Sequence, residues 1–157
     1  MSNYSTKINT ETLEQLIPQV NKFIRGGVSE YGTIVLTLGK VTRSTAQNAL
    51  WHAQISEIAK QVKFNGAELT AEGAKEYLVL IFAFELERDQ RPLKQGIKYI
   101  PSGKTESGWM PIPPKTSQFD INEGSEFIEW LFAYGAERHV RFNDDVARQY
   151  DDYMAMQ

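Results

Sequence analysis

Trp51, Ile55, Ile58, Ala59 and Val62 recur at i, i+4, i+7, i+8 and i+11, the spacing of one apolar stripe on an amphipathic helix. Such a stripe has to be buried, so the chain must supply a surface to cover it. The clearest candidate lies just upstream, where "TIVLTL" at 33–38 is rich in β-branched residues and bounded by Gly32 and Gly39, the pattern of a strand. A helix opening near Ser44 with its stripe facing a sheet is therefore expected. Asn65-Gly66, between short apolar runs, predicts a tight hairpin turn because both residues tolerate positive φ. Thr70 then caps a second helix. Its apolar positions Ala74, Tyr77, Leu78, Ile81 and Phe82, with Phe84 and Leu86 beyond, mark it as central to the core.

The flanks carry weaker signals. A short strand is expected near Lys7 and Ile8, and Thr12-x-x-Gln15 has the form of a capping box. Pro18 divides the apolar segment that follows, which predicts a short helix from Pro18 toward Ile24, stopped by Gly26-Gly27. Asn122 is positioned to cap a last helix with Phe127, Ile128, Leu131 and Tyr134 on one side. A strand at "VRF" is expected next, and then an acidic tail over 145–157 that is too rich in Asp and Gln to require packing. With 157 residues and 41% hydrophobic content, the chain is sized for one domain, 1–157, with a single core. The fold class is α+β, a small mixed or antiparallel sheet packed by three main helices.

Composition excludes several function classes. No apolar run approaches a membrane span, and MSNYSTKINTET has neither the basic start nor the apolar block of a signal peptide. A cytoplasmic protein with no membrane partner is expected. Zero cysteines remove disulfides, thiolate ligands and cysteine nucleophiles, leaving His52 and His139 as the nitrogen ligands. No metal site and no cofactor are expected. The net charge of -3 conceals an asymmetry: residues 88–118 hold six basic and two acidic side chains, whereas residues 119–157 hold three and nine.

Two regions have the chemistry to meet nucleic acid. From Arg88 to Lys115 the pattern breaks into a basic stretch containing proline and glycine, with short strands at "IKYI" and "WMPI", which reads as a β-arm or functional loop. Its Arg88, Arg91, Lys94, Lys98, Lys104 and Lys115 are interleaved with Tyr99 and Trp109. Cations attract phosphates, and aromatic faces stack unpaired bases at about 1–3 kcal/mol each. The plainer reading is of lysines solvated in a loop. The second region is the helix start. Ser44-x-x-Gln47 matches a capping box, and Gln47 lies four residues after Arg43 and four before Trp51. Arginine, amide and indole at a helix N-terminus suit a phosphate and a stacked base. Trp51 also starts the apolar stripe, so core packing competes with base stacking there. Asn48 and His52 form a parallel i, i+4 row, and a lone helical histidine is more often a structural hydrogen-bonding group than a catalyst.

Catalytic patterns fail on inspection. "SGKTES" around Lys104 invites a nucleotide-binding loop, but the glycine required five residues before Gly103 is Lys98. Asp120, Glu123, Asp144 and Asp145 could serve a magnesium-dependent nuclease, yet their spacing matches no motif, and capping or solvated roles come first. No Ser-His-Asp set or paired-carboxylate glycosidase can be located.

The stretch from Ile34 to Phe82, together with "PPKTSQFDINEGSEFIEWLFAYGAERHVRFND", resembles the NinB (Orf) recombination proteins of lambdoid phages. Arg43, Ser44, Gln47 and Asn48 match an R-S-x-x-Q-N element opening a long helix. Phe64 and Gly66 match an aromatic before a glycine turn, and Glu137, Arg138 and Val140 match the end of the last helix. Two departures stand out: His52 occupies the family's tryptophan position, with Trp51 one place earlier, and His139 replaces a glycine, which implies a different turn into the following segment. The resemblance implies a homodimeric, non-enzymatic protein of RAGNYA-type α+β fold, encoded by phage or prophage. It also implies that the protein prefers single-stranded DNA and helps a recombinase load onto DNA coated by single-strand-binding protein. Arg43, Ser44, Gln47, Asn48, Trp51, His52, Arg91, Lys94, Lys98, Lys104, Trp109 and Lys115 are the candidate DNA contacts. A structure-specific nuclease and a protein-interaction module that inhibits a host factor are the competing classes.

Overall fold

A computed structural model of the chain describes residues 13–34 and 43–156. Among these are five α-helices, one 3-10 turn and two strands, an α+β arrangement: α1 (Leu13–Tyr31), α2 (Arg43–Gln61), α3 (Ala71–Arg88), β1 (Lys98–Pro101), β2 (Trp109–Ile112), α4 (Ile121–Glu137) and α5 (Asp144–Met154). They fall into two compact units, one within 1–40 and one within 41–157.

The first unit contains α1, which runs unbroken through both expected interruptions, Pro18 and Gly26-Gly27. Proline deletes one intrahelical hydrogen bond and strains the turn before it, but flanking turns can carry the helix across. The helix ends instead at Gly32, whose φ of +75 suits glycine and whose N–H donates to the Val28 carbonyl at 2.8 Å. Gly27 has a packing reason: a Cβ there would sit 3.1 Å from Ile34 Cγ2. The expected strands near Lys7 and at 35–38 and the Thr12 cap lie outside the described residues. Thr33 and Ile34, the first two positions of the expected second strand, are not in a strand.

In the second unit α2 is central and packs against α3, α4 and α5. Its stripe is buried as expected, Trp51, Ile55 and Ile58 being joined by Ala46 and Leu50. The cover is helical, however. Phe82 of α3 and Phe127, Ile128 and Leu131 of α4 complete the core, while β1 and β2 form an isolated antiparallel pair away from it. Among the described residues the layer over the α2 stripe is therefore helical, and the strand expected to face it lies, over 35–38, outside them. The fit is close: a Cβ on Gly124 would meet Gln47 Oε1 at 2.7 Å and Trp51 Cζ3 at 3.1 Å. Glycine lets α4 approach α2 over these two side chains.

Caps fix the remaining boundaries. Asn65 (φ +50) and Gly66 (φ +85) make the predicted turn between Phe64 and Ala67, and the Thr70 side chain accepts from the Gly73 N–H at 3.1 Å. Helix α4 opens two residues before the expected Asn122. Its N-cap is Asp120, in a full capping box with Glu123. The VRF segment at 140–142 is not a strand. His139 takes φ +57, the left-handed conformation that a glycine adopts, so the departure from the family pattern leaves a glycine-like backbone. The acidic tail is a helix rather than an unpacked segment: Asn143 caps α5, and Val146 and Tyr153 are buried. The Tyr153 hydroxyl donates to Ser125 Oγ at 2.9 Å.

Candidate nucleic-acid interface

Helix α2 divides its candidate residues between core and solvent. Gln47 is 2% exposed, and its Nε2 donates to the Ile121 carbonyl at 2.8 Å and to Ser125 Oγ at 3.0 Å. It therefore ties α2 to α4 and does not reach back to Ser44, which is the second residue of the helix rather than its cap. Trp51 is likewise buried, against Phe119 and Phe127. Its indole N–H donates to Asn48 Oδ1 at 3.1 Å, so its ring is not available as a stacking surface. Ser44, Asn48 and His52 are exposed and, at four-residue spacing, share one side of the helix. The His52 imidazole is held below its ordinary pKa, first by the protein surrounding it and then by the charge of Lys75. Arg43 opens the helix, and its side chain lies outside those described.

The basic arm divides as well. Arg91 donates to Glu126 at 2.6 Å. Lys94 pairs with the α4 cap Asp120, while its backbone N–H donates to Glu123 at 2.8 Å. Hydrogen bonding to Asp120 raises the Lys94 pKa, and the same bond, reinforced by backbone N–H groups, lowers that of Asp120. These two cations fasten the arm to α4. Lys98, Lys104 and Lys115 are exposed and, among the described residues, have no carboxylate within ion-pair range.

Between them stands the hairpin. Leu93 is buried in the core, and a reciprocal pair clamps the base: Gln95 Nε2 donates to the Lys115 carbonyl at 2.9 Å, and the Lys115 N–H to Gln95 Oε1 at 3.0 Å. Both strands occur where the sequence indicated, in the register Lys98–Ile112, Tyr99–Pro111, Ile100–Met110 and Pro101–Trp109. The SGKTES segment is the hairpin tip, closed by Ser102 N–H to the Gly108 carbonyl at 2.8 Å and by Thr105 and Ser107 hydroxyls on the Trp109 carbonyl. Lys104 is at that tip, and Lys98 and Lys115 are at the base. Tyr99 and Trp109 are 48% and 51% exposed and, with Phe84 of α3, Ser107 and Pro111, line an open groove. Phe84 was legible only as a core position, and Tyr99 only as an aromatic among lysines.

The carboxylates considered for metal chemistry serve the helices. Asp120 and Glu123 form the α4 capping box, and Asp144 and Asp145 occupy the first turn of α5, Asp145 paired with Arg148. Among the described residues no three His, Asp or Glu side chains are grouped to hold a metal, and no helix is long and apolar enough to cross a membrane. At the end of α4, Arg138 lies 3.5 Å over the Tyr134 ring and donates to the Tyr134 carbonyl at 3.1 Å.

The chain is similar to known proteins over most of its length. It is 29% identical over 113 residues to the ninB proteins of Enterobacteria phage P21 and Escherichia phage lambda, covering 71% of this chain and 68% of each relative. A solved structural-genomics structure of NinB superposes with a TM-score of 0.63 at 23% identity, over 94% of this chain and 99% of that one. The NinB protein family model matches residues 8–143, and the chain belongs to that family.

Proposed function

We propose that this protein binds single-stranded DNA and acts, without catalysis of its own, as a phage-type recombination mediator. In this role it helps a recombinase load onto DNA coated by single-strand-binding protein, in the cytoplasm of the bacterial host. The observation that carries the DNA part is the contrast within the arm: Arg91 and Lys94 are spent on α4, whereas Lys98, Lys104 and Lys115 flank a hairpin with no carboxylate partner among the described residues. Unneutralised cations are the groups that release counterions when they meet phosphates. The mediator role is supported by the family. A homodimer is supported by α1, a 19-residue helix with no buried residue that exposes Leu13, Ile17, Val28 and Tyr31, the kind of apolar stripe a second copy would cover.

Titrating a labelled single-stranded oligonucleotide and its duplex by fluorescence anisotropy at two salt concentrations tests the reading. Single-strand preference is expected, with affinity falling steeply in salt. The triple change Lys98→Ala, Lys104→Ala and Lys115→Ala should flatten the salt slope by about 2, at roughly 0.7 per phosphate contact on a single strand. Absence of binding at low salt would reject the DNA reading and favour a protein-interaction module.

A further inference from the structure

The two arm strands hold four rings on one face. Paired residues share a face and successive residues alternate, so Tyr99, Pro101, Trp109 and Pro111 project together, while Lys98, Ile100, Met110 and Ile112 project from the other side. Proline cannot donate to a ladder, so the Tyr99–Pro111 and Pro101–Trp109 pairs are the non-hydrogen-bonded ones, where opposing side chains lie closest. The Ser102 N–H to Gly108 carbonyl bond continues the alternation at the tip. Tyr99 and Trp109 are diagonal neighbours, about 7–8 Å apart across the two strands. Among the described residues neither makes a ring contact with another aromatic: the aromatic pairs of this unit belong to the core, around Trp51, Phe82, Phe119, Phe127 and Trp130, or to Phe64–Tyr77, Phe132–Phe142 and the α5 contacts.

We propose that Tyr99 and Trp109 are a stacking platform for unpaired bases, each ring offering its free face to one base of a single strand that runs along the hairpin. The inference rests on the single-stranded DNA reading and adds where the bases go. Charge selects this occupant. Lys104 lies at the tip end of the platform and Lys115 at its base, so a polyanion running along the rings passes a cation at each end, while Lys98 projects from the opposite face of the ribbon. Stacking asks only for a flat π-face, which every base has, so the platform reads single-strandedness rather than sequence. A duplex keeps its bases stacked on one another and cannot use the rings.

Tryptophan emission reports the event, because Trp109 is one of three tryptophans, the others being Trp51, buried, and Trp130, whose Nε1 donates to Glu85 at 2.6 Å. Oligothymidylate should quench the wild-type emission, and Trp109→Phe should abolish the quench while retaining most of the affinity. Trp109→Ala and Tyr99→Ala should each weaken binding about 5- to 150-fold with the salt slope unchanged, and the double variant should no longer distinguish the oligonucleotide from an abasic strand of equal length. Retained affinity and retained abasic discrimination in the double variant would overturn the platform while leaving single-stranded DNA binding in place. A wild-type protein that binds neither strand would overturn both.

Discussion

The start of α2 and the β1–β2 hairpin carry similar side chains, an aromatic beside amides and cations, and the fold treats them oppositely. At α2 the indole of Trp51 and the amide of Gln47 are turned inward, and the polarity of Gln47 is consumed by the α4 backbone and Ser125. At the hairpin Trp109 and Tyr99 stand half in solvent. The difference follows from what surrounds each aromatic. Trp51 has Ala46, Leu50 and Ile55 on the same side of its helix, so burying it buries a continuous surface. Trp109 sits on a two-stranded ribbon whose residues are mostly exposed, with Phe84 of α3 beside it only across an open groove.

Tryptophan truncation at the two sites tests the contrast most strongly. Trp51→Ala should destabilise the protein by about 3–5 kcal/mol, the range for removing a buried aromatic, whereas Trp109→Ala should stay within about 0.5 kcal/mol. Denaturant melts followed by circular dichroism measure both, and equal losses would erase the distinction. Next in size is Gly124→Ala. Its new methyl would collide with Gln47 Oε1, at a cost of about 1–3 kcal/mol. Adding Gln47→Ala should recover part of that loss through coupling above about 0.5 kcal/mol, and strict additivity would show that the two helices yield independently.

Smaller effects sharpen the comparison at its margins. His139→Gly removes a side chain from a left-handed position and should stabilise by up to about 1 kcal/mol, the relief of backbone strain being offset by added freedom of the unfolded chain. The smallest concerns His52 on the exposed side of α2. Its folded pKa is depressed, so the unfolded chain binds the proton more readily and stability rises with pH across that interval. The contribution is full above the ordinary histidine pKa and is lost as pH falls through the folded value. His52→Gln should flatten this slope in thermal melts taken from neutral to mildly acidic pH.

Much of the fold was legible because local signals agreed. Asn65-Gly66, the Thr70 cap, the stripe of α2 and both arm strands occur where residue chemistry put them. The errors have two sources. Pro18 and Gly26-Gly27 do not break α1, where the flanking turns carry the helix across although none of its residues is buried, and the Asp-rich tail is a helix because Val146 and Tyr153 give it an anchoring side. The site was half legible for the same reason. Gln47 falls four residues before Trp51 on the buried stripe, so its periodicity already pointed inward, but its polarity read as surface. Which arm cations pair with carboxylates could not be read, since Glu126 lies 35 residues from Arg91 and Asp120 lies beyond the whole hairpin from Lys94.

The prolines of the arm have one more consequence. In a two-stranded antiparallel ribbon, the backbone groups of non-hydrogen-bonded pairs point outward along the two free edges. Pro101 and Pro111 occupy those positions, so each edge lacks an N–H that an added strand would require. A ribbon with apolar side chains on both faces is otherwise an inviting template for edge-to-edge association. Here each edge keeps only the N–H of Tyr99 or of Trp109 beside its proline, so a further strand finds a weakened ladder while the rings stay open, and the arm presents sticky side chains with less tendency to seed aggregates.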